Sequence, residues 1–126
     1  MRKVFIILAI FVFISCSKDD EQSDNPDQTI ITYEADYTGD LSNYQIFIYL
    51  QPENESAPEH YFGTANFSHE FTPPNNMDKA KFYCRVTAPG ELKMRIKKNG
   101  EIVAQKNETI PNDVILKQVQ LEYNLK

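Results

Sequence analysis

Strict alternation of apolar and polar side chains in the second half of the chain limits this region to β-strands. Residues 79–88 place Ala, Phe, Cys, Val and Ala at every second position, with polar residues or Tyr between them, and residues 91–97 repeat this period of two. A strand turns successive side chains to opposite faces, so both stretches predict strands with one buried face. The pair Asn99-Gly100 then separates two alternating runs, which predicts a two-residue type I′ hairpin. The residues expected on the buried side of this hairpin are Ile96 and Ile102.

Shorter runs of the same kind fill the rest of the chain after residue 28. The other predicted strands are residues 29–37, 44–50, one or two strands within 60–71 broken near Gly63, and 114–123. Turn signals recur about every 8–12 residues, a spacing typical of sandwiches. The sequence therefore predicts one all-β domain over residues 29–126, an immunoglobulin-like antiparallel β-sandwich of about seven strands. A small β-barrel is the alternative.

The N-terminus has the pattern of an export signal. Met1-Arg2-Lys3 precede eleven apolar residues, 4–14, and Ser15-Cys16 follow. Two cations, a short apolar helix and a small residue before the cleavage point form a secretory signal, whereas the alternative, a membrane-spanning helix, needs about 20 apolar residues. A cysteine directly after the small residue resembles a bacterial lipoprotein signal. This resemblance implies removal of residues 1–15, lipidation of Cys16, and anchoring of the mature chain to the bacterial outer membrane.

An acidic segment separates the cysteine from the domain. Residues 16–28 contain almost no apolar side chain, so we interpret them as the lipidated cysteine and a disordered tether. Four charged residues after the cysteine resemble the surface-export signal of Bacteroidota lipoproteins, which implies exposure at the cell surface. A plain solvated tether is the alternative. The four residues are Lys18, Asp19, Asp20 and Glu21.

Two segments of the domain resemble the MmpS-like β-sandwich lipoproteins. Residues 31–40, ITYEADYTGD, match the Tyr-Glu and Thr-Gly of that family's opening, and residues 79–105 match its succession of strand, Gly-containing turn, strand and Asn-Gly hairpin. The resemblance implies a sandwich fold. The chain departs from the family in having no Trp and in carrying Cys84 alone, where mycobacterial members often have a cysteine pair. We therefore carry over the architecture and not the family's lipid exporters as partners.

Charge is distributed unevenly along the chain. Removal of residues 1–15 leaves a net charge of −7, with 11 basic and 18 acidic residues, which argues against nucleic acid as a partner. Residues 19–78 hold 13 acids and no Lys or Arg, whereas residues 79–126 hold ten Lys or Arg and five acids. Either acidic and basic strands pair internally, or one cationic sheet face binds an anionic glycan or an acidic protein. The residues of such a face are Lys81, Arg85, Lys93, Arg95 and Lys97.

No combination of residues predicts catalysis, a metal site or a cofactor. His60 and His69 could ligate zinc only if their strands shared a face, so isolated surface histidines are the stronger interpretation. Cys84 falls on an inward position and is expected to be an inert core residue. Tyrosines at outward strand positions could stack on sugars, although tyrosine is also favoured in strands generally.

These observations predict a membrane-anchored envelope or cell-surface lipoprotein that acts as a non-catalytic binding or accessory module for a protein or an anionic glycan. The alternative is an inhibitor or immunity-type lipoprotein that blocks a hydrolase through the loops at residues 52–58 and 73–78. A small enzyme is the third and least supported class, because no site for it can be identified.

Overall fold

The computed structural model describes residues 28–52 and 57–126, which form eight antiparallel β-strands. The strands are β1 Ile31–Tyr37, β2 Tyr44–Ile48, β3 Glu59–Phe62, β4 Phe67–Phe71, β5 Lys79–Val86, β6 Gly90–Lys98, β7 Glu101–Ile110 and β8 Lys117–Asn124. A single 3-10 turn, Leu41–Asn43, precedes β2. The predicted signal peptide, Cys16 and the charged residues 18–21 lie outside the described residues.

The eight strands form two four-stranded sheets that pack face to face. The strand order is β4-β1-β6-β7 in the first sheet and β3-β2-β5-β8 in the second. Only β2–β3 and β6–β7 are consecutive strands of the same sheet, so the other five connections between the described strands cross from one sheet to the other. Neither sheet closes on itself. The predicted all-β sandwich is confirmed, and the barrel alternative is wrong.

The strand count is eight rather than about seven because residues 60–71 divide between the two sheets. Gly63 turns the chain with a φ of 55°, and its N–H donates to the Tyr44 carbonyl at 2.8 Å. β3 before this turn joins the second sheet and β4 after it joins the first. The last strand begins at Lys117 rather than at residue 114, which leaves Ile115 and Leu116 exposed in the preceding loop.

The core is the layer in which the inward rows of the two sheets meet. β1, β2 and β5 bury every second residue, as their alternation predicts. The largest fully buried side chains are Tyr33, Tyr44, Phe82, Ile31, Ile46 and Ile48. Each buried side chain of this size contributes roughly 1.5–3 kcal/mol relative to exposure. The buried residues of the described chain form one core cluster, from Ile31 to Leu121. Both sheets contribute to this core.

Tyr33 links the two sheets through both its ring and its hydroxyl group. The ring lies on β1 and stacks on Phe82 of the second sheet, with 4.8 Å between centroids. The hydroxyl donates to the Tyr49 carbonyl at 2.8 Å and accepts from the Lys81 N–H at 3.0 Å. Burial raises the pKa of this hydroxyl, so it stays protonated and can make both bonds. Two main-chain groups of the second sheet thus obtain their partners from a side chain of the first.

The β6–β7 hairpin turns at the predicted Asn99-Gly100 pair, whose φ values are 51° and 85°. The register shifts just before the turn, since Ile96 faces Ala104 while Lys97 faces Ile102. This β-bulge places one extra residue in β7 and reverses the side-chain alternation near the tip. The prediction that both isoleucines lie on the buried side is therefore wrong: Ile96 is fully buried, whereas Ile102 is 52% exposed.

Replacing Tyr33 with Phe should lower the free energy of unfolding by about 1–3 kcal/mol, because the ring remains while two main-chain groups lose their partner. Urea unfolding followed by circular dichroism measures this change. Tyr123→Phe is the matched control, since Tyr123 packs partly buried against the core and its hydroxyl makes no hydrogen bond within the described residues. Equal losses in the two variants would contradict the cross-linking role of Tyr33.

Candidate binding face

The five cations identified in the sequence do not share one face of the domain. Lys81 and Arg85 lie on β5 in the second sheet, whereas Lys93, Arg95 and Lys97 lie on β6 in the first. These strands are consecutive in sequence, but the connection between them crosses from sheet to sheet. Outward side chains of two packed sheets point in opposite directions. The five residues therefore form two separate groups, and the expectation of a single cationic face is corrected.

Two of the β6 cations pair with the acidic strand β1. One carboxylate oxygen of Glu34 accepts from Arg95 Nε at 2.8 Å, and the other lies 2.8 Å from Lys97 Nζ. Only 17% of the Glu34 side chain is exposed, so this carboxylate depends on protein partners. Burial alone would raise the pKa of Glu34, but the hydrogen bonds and charges of Lys97 and Arg95 outweigh it and hold the pKa below its ordinary value.

Internal pairing, the alternative explanation of the charge pattern, therefore describes the first sheet. Lys93 stands opposite Asp36 in the β1–β6 register without forming an ion pair with it, and the Asp36 carboxylate accepts from the Asn66 N–H at 3.3 Å. Removal of Arg95 or Lys97 would leave Glu34 with one cation instead of two, so these residues support the fold. β6 is for this reason a poor candidate for a free cationic surface.

Aromatic side chains cover the outer face of the second sheet, beside the two cations of β5. They come from β2, β3 and β5 and from Tyr49, the residue directly after β2. Those within the strands occupy the positions that alternate with the buried row, as the strand register shows. Phe62 is 66% exposed. We define the aromatic–cationic face by seven side chains: Phe47, Tyr49, His60, Phe62, Tyr83, Lys81 and Arg85.

Three rings of the aromatic–cationic face form a stack that runs across the strands. Phe47 stacks on His60 with 4.1 Å between centroids and on Tyr83 with 4.7 Å, and the ring planes differ by only 11° and 13°. The register explains this stack, because these residues are direct partners on three neighbouring strands, which lie about 4.8 Å apart. The three rings thus form one continuous aromatic row across β3, β2 and β5.

Arg85 lies against this stack without a carboxylate partner among the described residues. Its guanidinium carbon is 4.9 Å from the ring centre of Phe47 and 5.6 Å from that of Tyr83, which is within cation–π range. Its Nε donates to Oε1 of the neutral Gln118 at 3.1 Å. This bond uses one of the five guanidinium N–H donors, so the Nη edge can still bind an anion.

The sequence predicted only part of this face. It gave Lys81 and Arg85 as outward cations, and it allowed outward tyrosines to stack on sugars. The sequence did not predict that β3 pairs with β2. This pairing places His60 and Phe62 beside the outward residues of β2. A useful signal was the presence of Phe47 among outward positions, because a strand face that only meets water is usually polar.

Other chemical groups of the described residues do not form a reactive site. His60 and His69 lie in different sheets, and no three His, Cys, Asp or Glu side chains of the described chain could hold a metal ion together. Cys84 is fully buried, and burial raises the pKa of its thiol to about 12. The thiolate that a nucleophile requires is therefore scarce at neutral pH. The described part of the chain also contains no helix able to span a membrane.

Two surface pockets lie at the ends of the sandwich and not on the aromatic–cationic face. One, of about 330 Å³, is lined in part by Gln28, Met77 and Leu125, and the other, of about 400 Å³, by Gly90 and Ile110. The aromatic–cationic face itself is an open sheet surface. It suits an extended ligand better than a small molecule, which usually binds in an enclosed cleft.

Comparison with known proteins gave no match, since no family model, curated protein or solved structure is significantly similar to this chain. The resemblance to MmpS-like lipoproteins therefore stays a prediction beyond the sandwich fold. Any functional conclusion rests on the geometry of the face and on the chemistry of its residues.

Replacing Glu34 with Gln should reduce the free energy of unfolding at pH 7 by about 0.5–1 kcal/mol, a range that allows for solvent screening of the two ion pairs. Because the folded-state pKa of Glu34 is lowered, its contribution is present above the unfolded-state pKa and is lost as pH falls through the folded-state pKa. The difference between wild type and variant should therefore begin to shrink below about pH 4.3, the ordinary pKa of Glu, and should vanish once pH lies below the lowered folded-state pKa. Urea titrations at several pH values measure this.

Glu101→Gln is the control for this experiment, because Glu101 is exposed and has no cation partner in the described structure. A difference between wild type and Glu34→Gln that stays constant from pH 7 down to pH 3 would contradict the ion-pair explanation.

Proposed function

We propose that this chain is a lipid-anchored envelope lipoprotein whose sandwich is a non-catalytic binding module, and that the aromatic–cationic face binds an anionic glycan. The observation that carries this proposal is the Arg85 guanidinium, held against stacked rings and facing no carboxylate of the described chain. On the first sheet, Arg95 is paired with Glu34. On the second sheet, Arg85 has no such carboxylate among the described residues and can bind an external anion.

The charge of the second sheet supports an anionic ligand. Its outward positions carry Lys79, Lys81 and Arg85 on β5, and the described β8 offers one carboxylate, Glu122, which pairs with Lys79 at 3.3 Å. Three cations therefore stand beside one carboxylate at these described outward positions, on a chain whose formal net charge is −5. Such a local excess of positive charge attracts polyanions although the molecule as a whole is acidic.

The polar groups around the rings support a glycan in particular. Gln45 and Gln118 lie on either side of Arg85 in the cross-strand register, and Gln120 lies opposite Tyr83. Each amide makes one hydrogen bond within the protein: Gln45 Oε1 with His60 Nε2, Gln118 Oε1 with Arg85 Nε, and Gln120 Nε2 with Glu122. The amide N–H donors that remain can bind the hydroxyl groups of a sugar. An open row of amides, cations and aromatic rings is a surface that an extended sugar chain can follow.

The anchoring part of the proposal is supported by the sequence. Cys16 follows a short apolar signal and a small residue, and an acidic segment joins it to the sandwich. Attachment of more than one acyl chain provides stable membrane binding. The module would then be held at the outer membrane, where anionic glycans of the envelope or of its surroundings are within reach.

Replacing Lys81 and Arg85 together with Gln should lower affinity for an anionic polysaccharide at least tenfold, because both cations of the face are lost. Affinity electrophoresis or calorimetry at low salt measures this, using protein that starts at residue 17 and so contains the complete core. Binding of the wild type should weaken as salt rises, since exposed charges are screened beyond about 8 Å at physiological ionic strength.

The matched control is Lys93→Gln with Lys106→Gln, which removes the same charge from the first sheet. Both lysines are exposed, and neither has a carboxylate partner in the described structure. This control should bind within about twofold of the wild type, since removing charges that a ligand does not touch changes affinity little. The absence of wild-type binding to any anionic glycan at low salt would contradict the proposed function.

Replacing Cys16 with Ala should leave the precursor uncut and without lipid. Metabolic labelling with palmitate measures the attached acyl chains, and membrane fractionation measures the anchoring. Ser17→Ala, which leaves the cysteine in place, is the control. Incorporation of palmitate into the Cys16 variant would overturn the assignment of the lipid anchor.

A further inference from the structure

We propose that Arg85 selects carboxylated sugars, so that the ligand of the aromatic–cationic face is a polysaccharide rich in uronic acids. This inference rests on the proposed function and names the substrate class of the same site. Arg85 acts as a specificity-determining residue because its guanidinium is fixed in place before the ligand arrives.

Two contacts fix the guanidinium of Arg85. Its Nε donates to Gln118 of β8 at 3.1 Å, and its carbon lies 4.9 Å from the ring centre of Phe47 on β2. The group is thus held between the strands on both sides of β5. A side chain ordered in the free protein loses less entropy when the ligand binds.

The remaining Nη edge of Arg85 matches a carboxylate. A guanidinium offers parallel N–H donors in one plane, and a carboxylate offers two oxygens in one plane, so the two form a bidentate pair. A lysine ammonium is a point charge without this directional match. Arginine at this position therefore distinguishes a planar carboxylate from other anions more strongly than lysine could.

The second cation indicates a polymer rather than a single sugar acid. Lys81 lies four residues from Arg85 on the same strand, so their Cα atoms are about 13 Å apart. Its Nζ lies 4.8 Å from the ring centre of Tyr49. A chain with an acidic group on successive sugars presents carboxylates along the strand direction and can contact both cations at once. Affinity should therefore rise with the length of the oligosaccharide.

The test compares charge-conserving variants on polymers of different chemistry. Arg85→Lys keeps the charge and removes the planar fork, and Lys93→Arg is the charge-conserving control on the first sheet, away from the proposed site. The probes are oligogalacturonides of increasing length, dextran sulfate, neutral dextran and poly-glutamate. A urea midpoint close to that of the wild type shows that each variant is folded, and Arg85→Gln provides a second variant at the same position.

Arg85→Lys should weaken oligogalacturonide binding at least fivefold and change dextran sulfate binding less than twofold, while Arg85→Gln should weaken both. Lys93→Arg should bind oligogalacturonides as well as the wild type, because Lys93 lies on the other sheet. An equal effect of Arg85→Lys on both polymers, or none on oligogalacturonides, would overturn the selection of carboxylates and leave the proposed function standing. Failure of the wild type to bind either anionic polysaccharide would overturn both proposals. Poly-glutamate binding as tight as that of oligogalacturonides would overturn the glycan class in favour of an acidic protein segment.

Discussion

The buried hydroxyl of Tyr33 is the contact on which the arrangement of the two sheets depends. The ring fills the layer between the sheets against Phe82, and the hydroxyl supplies partners to the Tyr49 carbonyl and the Lys81 N–H. Removing a hydrogen-bond partner from buried main-chain groups is costly, because water cannot reach these groups to form the bond instead. The same bonds fix the backbone positions of Tyr49 and Lys81, whose side chains point the other way and belong to the aromatic–cationic face. The core contact therefore also orders one end of the binding surface.

A single crossing of the chain divides the electrostatics of the molecule. β5 and β6 are both basic and adjacent in sequence, yet the connection between them places them on opposite sheets. β6 meets the acidic β1, and Glu34 takes up Arg95 and Lys97. β5 meets β2 and β8, which offer Arg85 aromatic rings and the neutral Gln118 instead. Two strands of similar composition thus have different roles, one as part of the fold and the other as a surface able to bind anions.

The aromatic–cationic face is rigid because its parts are fixed by the sheet itself. His60, Phe47 and Tyr83 are cross-strand partners, so the strand spacing sets the distance between their rings. Such cross-strand pairs contribute about 0.2–1 kcal/mol each to the sheet, which gives the exposed rings a structural role together with any binding role. The face combines apolar surface, positive charge and amide groups on one open plane. The anchor predicted for Cys16 would hold this plane near its ligand without taking part in recognition.

The sequence by itself determined the strands, the buried side of most of them and the turn at Asn99-Gly100. Period-two alternation and turn chemistry are local, so they can be read without knowledge of the neighbours. Only the tertiary structure decided which strands lie side by side, since alternation assigns a residue to a face of its strand and says nothing about the partner strand. This is why the bulge beside Ile96 exposed Ile102, and why the five predicted cations separated into two groups. The pairing of Arg85 with stacked rings depended on the same long-range choice, because its partners come from three different strands.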